Sequence, residues 1–228
     1  MIKTLDNILF SKDVVKEFHS NYQNIEFKKW ILSILPEIED CRVLRQANPW
    51  HIYNCLDHIL YAVAEMNNQT RNLDFNTRRI LAYTMFLHDI GKPQCYIRRY
   101  SKLYKREVDR FFNHNKASVK IADRVLNNFK FNTKEIEIIK KLIEEHDMFM
   151  FITLKNDGNN YHKVLTHEFL INKIEELNKI FDGKILMQYL ILVGRADNKA
   201  QNPEMTKESF HLLDVMNGML QELDIENN

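Results

Sequence analysis

Apolar positions recur every three or four residues along most of the chain, the period of helices that bury one face. Segment 11–20 reads as a first helix. Segment 25–38 sets Ile25, Trp30, Ile31 and Ile34 on one broad face, with Pro36 marking its last turn or a kink. Segments 51–67 (Ile52, Leu56, Ile59, Leu60, Val63, Met66) and 74–89 (Phe75, Ile80, Tyr83, Phe86, Leu87) repeat the pattern until Gly91 and Pro93 stop it. Helical periodicity returns at 113–129. Asn132 followed by Glu135 has the form of a cap, opening a helix that runs to about His146. Three more helices are expected at 165–181, 184–200 and 206–222, separated at Asp182-Gly183 and Asn202-Pro203. Residues 155–163 form a polar loop, and Met148–Leu154 is the one ambiguous, strand-like run. The expectation is an all-α protein of seven to nine helices. Residues 1–45 are expected to be a helical arm or added layer packed on a main domain of residues 46–228.

Composition narrows the classes. The chain has 228 residues, 45% of them hydrophobic and 28% charged. That suits one sizeable packed domain and argues against a largely disordered chain. With only 5 Gly, no glycine-rich dinucleotide fingerprint is present. A net charge of +1 gives no bulk signal for nucleic acid. The N-terminal MIKTLDNILFSKDVV lacks the apolar core of a secretory signal. The longest apolar run, Ile185–Val193, is far short of the roughly 20 residues that span a bilayer. Cys41, Cys55 and Cys95 form no CxxC pair and read as reduced thiols. A cytoplasmic location without membrane association is therefore expected, and the oligomeric state is silent.

Charge is nevertheless uneven. Between residues 92 and 110, Lys92, Arg98, Arg99, Lys102, Lys105, Arg106 and Arg110 face only Glu107 and Asp109, a net of +5. Tyr96, Tyr100 and Tyr104 lie among them. Such a segment suits a phosphate-attracting, base-stacking wall, or an ordinary solvated basic face.

The placement of histidines carries more. His58 lies within an apolar helix. His88 and Asp89 end another, His114 opens one, His146 closes one, and Asp197 lies near the end of the helix with the most apolar start. Helices packed as a bundle can bring such positions together. Imidazole with carboxylate suits divalent transition metals, and four histidines with two aspartates suffice for two ions if one carboxylate bridges. The same residues, taken singly, read as hydrogen-bonded core histidines.

The string Phe86-Leu87-His88-Asp89-Ile90-Gly91-Lys92-Pro93 resembles the signature of the HD-domain metal-dependent phosphohydrolase superfamily. HIYNCLDHIL, FFNHNKASVKIADRVLNNFKF, LIEEH and LVGRADNKAQNP resemble the segments that carry its other ligands, in the order H…HD…H…H…D. The resemblance covers about residues 48–203. Pro49-Trp50-His51 and Ala196-Asp197 through Pro203 are most similar to the HD domain of bacterial CCA-adding tRNA nucleotidyltransferases, without their nucleotidyltransferase domain.

The resemblance implies an HD-domain helical bundle around a metal pocket, with additional N-terminal helices. It implies one or two divalent transition ions (Fe, Mn, Co, Ni or Zn). His58, His88, Asp89 and Asp197 would hold the first, and Asp89 would bridge to a second held by His114 and His146. Lys92 would contact substrate phosphate or a carboxylate beside the metal, or lie in solvent. His51, two turns before His58, would donate a proton, bind phosphate or cap near Trp50. Tyr96, Arg98 and Arg99 are the candidate substrate-binding residues. Arg195, far around its helix from Asp197, is expected to pair with an acid. Asp57 and Asp147, each beside a candidate ligand, are expected at most to touch the ligands and not the metal. Asp89, Lys92 and His51 are thus the candidate catalytic groups.

The expected activity is hydrolysis of a phosphate ester, on a nucleotide or nucleotide-like small molecule, by attack of metal-bound hydroxide. RNA is the other partner class the chain admits. The alternative is a nucleotide- or RNA-binding module that senses or processes with little turnover.

Overall fold

The computed structural model describes residues 1–225. Helices dominate it: α1 (Ile2–Leu9), α2 (Val14–Tyr22), α3 (Ile25–Ile34), α4 (Glu37–Val43), α5 (Cys55–Gln69), α6 (Phe75–Leu87), α7 (His114–Val125), α8 (Thr133–Glu145), α9 (His167–Leu177), α10 (Gly183–Lys199) and α11 (Lys207–Ile225). The described helices outnumber the seven to nine expected because the N-terminal region is more finely divided. Asp13 caps α2 by accepting from the Lys16 amide, so a break falls inside the expected 11–20 helix. Pro36 separates α3 from α4. The helix expected at 51–67 starts only at Cys55, after Asn54 accepts from the Asp57 amide. Asn132 and Glu135 cap α8 reciprocally.

Helix α5 lies at the centre, packed against α6, α10, α2 and α4. Leu56, Ile59, Leu60, Ala62, Val63 and Met66 on α5 are fully buried. A ring cluster joins the N-terminal helices to this core. Phe18 of α2 lies 6.2 Å from Phe86 of α6 and 6.1 Å from Phe27 of α3. Polar contacts fasten the same seam: the Tyr83 hydroxyl donates to Asp6 at 2.8 Å, Arg79 pairs with Asp6 at 3.0 Å, and His19 meets Asp57 at 2.6 Å.

The basic segment is a strand pair, where no strand was expected. Strands β1 (Tyr96–Ser101) and β2 (Arg106–Phe111) run antiparallel, with Tyr96 opposite Phe111 and Arg98 opposite Asp109. Alternation was hard to read because its exposed members are Arg and Tyr, whose long side chains carry both apolar and polar parts. The hairpin is tied to the chain before α5. Ala47 donates its amide to Asp109, and the Asp109 amide donates to the Ala47 carbonyl. The ambiguous run contains a 3₁₀ turn at Met148–Phe151 and then β3 (Ile152–Thr153), which pairs in parallel with β4 (Lys163–Val164).

Candidate metal centre

Four histidines meet where α5, α6, α7 and α8 approach one another. Each is aimed by a bond from Nδ1 to a backbone carbonyl: His58 to Ala200 at 3.1 Å, His88 to Met85 at 2.6 Å, His114 to Phe111 at 2.7 Å and His146 to Ile143 at 2.6 Å. The last three reach back three residues. A carbonyl only accepts, so each Nδ1 carries the proton and each Nε2 offers a lone pair. Asn113, in the left-handed region at φ 61°, turns the chain so that His114 starts α7 facing inward. Gly91 closes the turn after Asp89. A Cβ there would lie 2.5 Å from the Ser118 amide nitrogen, and the Gly91 amide donates to the Ser118 hydroxyl at 2.9 Å. Helix α7 can therefore approach closely enough to deliver His114.

Two clusters result. In the first, the Nε2 atoms of His58 and His88 face each other at 3.3 Å. Asp89 Oδ2 lies 3.0 and 3.3 Å from them, and Asp197 Oδ1 3.0 and 3.5 Å. In the second, the Nε2 atoms of His114 and His146 face each other at 3.2 Å. The other Asp89 oxygen, Oδ1, lies 3.1 and 3.6 Å from them. One carboxylate thus straddles both clusters. Asp147 adjoins the second, with Oδ2 3.1 Å from His114 Nε2 and Oδ1 3.4 Å from His146 Nε2.

The donors fit divalent cations. Facing lone pairs repel each other, and Asp89 Oδ1 and Asp197 Oδ1 are buried without a hydrogen-bond donor. A cation within each cluster would satisfy all of these atoms. His58, His88, Asp89 and Asp197 can hold one ion, and Asp89, His114 and His146 another. Mixed imidazole and carboxylate ligation suits the divalent transition metals. Without a cation, protons would compensate. Burial disfavours the imidazolium of His58 and His88, but the adjoining Asp89 and Asp197 outweigh it and raise both to about 9. Burial likewise opposes charge on Asp89 and Asp197. The surrounding histidines, with Lys92 beside Asp89, more than offset this and hold both carboxyls well below the usual range.

Behind Asp89 lies a buried relay. The Lys92 ammonium is 2.5 Å from Asp89 Oδ2, 2.8 Å from Gln46 Oε1 and 3.0 Å from His51 Nε2. His51 donates its Nδ1 proton to Asn48 Oδ1 at 2.9 Å, so its Nε2 accepts from Lys92. Burial and then the Lys92 charge push the His51 imidazolium well below its usual range. His51 is therefore a neutral acceptor here, with no Nε2 proton to donate. Gln46 and Asn48 carried no signal in the sequence, because a loop amide shows no periodicity. Asp109, which anchors the hairpin, was masked by its basic neighbours.

Arg98 and Tyr96 stand apart from the ligands. Arg98 pairs with buried Asp109 at 2.8 Å. Together with Arg45, Pro93 and Gln94, Arg98 and Tyr96 line a cleft of about 680 Å³ that none of the six ligands lines. Arg99 is exposed, with no ion pair among the described residues. Arg195 pairs with Asp214, away from the cluster.

Residues 51–198 match the HD domain family. The chain belongs to that family. Its helical bundle and two His/Asp clusters are consistent with an HD-family metal-dependent phosphohydrolase. A protein of Clostridium beijerinckii described only as uncharacterized is 33% identical over 84 residues, which is 37% of this chain and 45% of the relative. The chain thus matches less than half of that relative's length. No described helix of this HD protein is long and apolar enough to cross a membrane.

Proposed function

We propose that this HD protein hydrolyses a phosphate ester of a nucleotide or nucleotide-like molecule in the cytoplasm. The observation that carries the reading is the Asp89 carboxylate, one oxygen facing each histidine pair. Two divalent ions in such a site supply Lewis acidity toward a phosphoryl oxygen and lower the pKa of water. The chain's own groups hold the charge balance. Asp89, Asp197 and the imidazoles would ligate. Lys92, held by Gln46 and His51, offsets the charge of Asp89 from behind, so in this reading His51 positions Lys92 and gives up no proton.

Nucleotide recognition rests on the hairpin. It leaves the site at Lys92 and returns at His114, and Arg99, Lys102, Lys105, Arg106 and Arg110 are exposed on it. Arg99 and Arg106 share one face by the two-residue period, while Tyr96 and Arg98 share the other. The likeness of 49–51 and 196–203 to the HD domain of CCA-adding enzymes supports a nucleotide or RNA end as substrate. The reading also assigns residues 46–228 to the HD unit and 1–45 to a helical layer upon it. Removing that layer would uncover Phe86 and the α5 face.

Chromatographic separation of products from a panel of nucleotides and 2′,3′-cyclic nucleotides, with an inorganic-phosphate assay for the monoesters and with Mn²⁺ or Co²⁺ added, tests the activity. Turnover lost on chelation and restored by metal is expected, with a ring-opened or dephosphorylated nucleoside product. Nucleotide binding without turnover under every metal condition would overturn hydrolysis in favour of a binding module.

A further inference from the structure

We propose that Asp147 is a direct ligand of the second cation, giving it a carboxylate of its own beside the shared Asp89. The inference rests on the two-cation reading above. Its Oδ2 and Oδ1 lie 3.1 and 3.4 Å from the Nε2 atoms of His114 and His146. The Nδ1 atoms of both rings face backbone carbonyls, so Nε2 is the nitrogen each ring turns toward Asp147 and toward a cation. A carboxylate set against two Nε2 atoms needs a positive charge between them, supplied by protons in the cation-free site and by the cation when it binds.

Asp57 provides the contrast. It also adjoins a histidine of the site, His58, yet its oxygens are already used: Oδ1 meets His19 at 2.6 Å and Oδ2 accepts from Asn54 at 2.7 Å. Among the described residues, the Asp147 carboxylate meets only the two histidines. The backbone explains the aim. His146 ends α8 and Asp147 begins the 3₁₀ turn at Met148–Phe151, so both side chains follow the tightening chain toward the site.

If Asp147 is drawn in to join Asp89, His114 and His146, the three donors already close-set there, the two clusters become equivalent in donor type. Each cation has two imidazoles, one carboxylate of its own and one oxygen of Asp89. Asp197 is the private carboxylate of the first site and Asp147 of the second. Each ion would then face the same kinds of ligand, two imidazoles and two carboxylate oxygens.

Mn²⁺ titration of the chelator-treated full chain, by calorimetry with elemental analysis, tests this without any substrate. Wild type should take up two equivalents. Asp147→Asn should keep one unchanged and weaken the other at least tenfold, and Asp57→Asn should leave both unchanged. The Co²⁺ form of Asp147→Asn should also lose visible absorption from one site. Two equivalents of unaltered affinity in Asp147→Asn would overturn the proposal while the two-cation reading stands. A wild type with a single equivalent, unaffected by Asp147→Asn, would overturn it too. A wild type that binds no divalent ion would remove both.

Discussion

The two halves of the site have similar donors but different supports. His58, His88 and Asp197 stand on α5, α6 and α10, whose other faces form the apolar core, and both histidines are fully buried. His114 opens α7 just after the hairpin, and His146 and Asp147 lie between the end of α8 and a 3₁₀ turn. Side-chain exposure follows the division in part: 0% for His58 but 11% for His114, and 14% for Asp197 but 23% for Asp147, while His146, at 1%, is as buried as the first pair. The first half is set by the fold. The second is set by chain ends and turns, where local opening costs least. On the two-cation reading, the first cation is expected to be the more tightly held and the second the more exchangeable.

The largest break in that comparison strikes both halves. Asp89→Asn removes the charge from the one carboxylate they share. It should lower kcat by about 10³-fold, roughly 4 kcal/mol of barrier, and reduce metal content at both sites while the CD spectrum stays helical. Retention of more than about a tenth of wild-type kcat, a loss under about 1.4 kcal/mol, would show that the two halves do not depend on this bridge.

The core support can be broken separately. Phe18→Ala opens a void beneath Phe86 on α6, the helix that delivers His88. It should cost about 3–5 kcal/mol, visible as a lower denaturation midpoint. Metal stoichiometry of the protein that remains folded should be unchanged. A loss under about 1 kcal/mol would mean that the N-terminal layer does not support this half.

Acidity sharpens the comparison. In the chelated protein, His58 and His88 are raised from 6.5 to about 9. Their stabilisation is fully present below the unfolded value and is lost as pH rises through the folded one. Tm of the chelated protein should therefore fall between about pH 6.5 and 9. Metal must displace the same protons, so at fixed Mn²⁺ the affinity, and the Tm gain it gives, should rise over that window. Calorimetry in buffers of different ionisation enthalpy should detect the released protons. Parallel slopes in the chelated and loaded forms would contradict this account.

The smallest effect lies on the hairpin. Arg99→Ala with Arg106→Ala removes two exposed cations from one face and no ion pair. kcat/KM for a nucleotide should fall about tenfold at low ionic strength and much less at high salt, with metal content unchanged. A salt-independent or absent effect would make that face ordinary solvated surface.

The sequence announced the first half better than the second. The ligand histidines and aspartates could be named because the string around His88-Asp89 and the segments holding His58, His114, His146 and Asp197 resemble the HD family's; helix periodicity alone left them readable as core histidines. The hairpin was missed because no apolar alternation marks strands built from Arg, Tyr and Asp. The Lys92–Gln46–His51 relay was missed because it joins a loop to a turn across 46 residues, a contact that no local pattern encodes. Asp147 sat in view beside His146. What separates it from Asp57, its counterpart beside His58, is that His19 and Asn54 already hold both Asp57 oxygens.

Anomalous diffraction from Mn²⁺-loaded crystals would show whether the Asp89 carboxylate joins two cations. Two Mn peaks are expected, one at His58, His88, Asp89 and Asp197, the other at Asp89, His114, His146 and Asp147. Each peak should have one Asp89 oxygen in its shell, at ligand distances near the ~2.0–2.2 Å typical of such bonds. A single peak with His114 and His146 turned away, or peaks more than about 4 Å from Asp89 where direct bonds need about 2.2 Å, would contradict it.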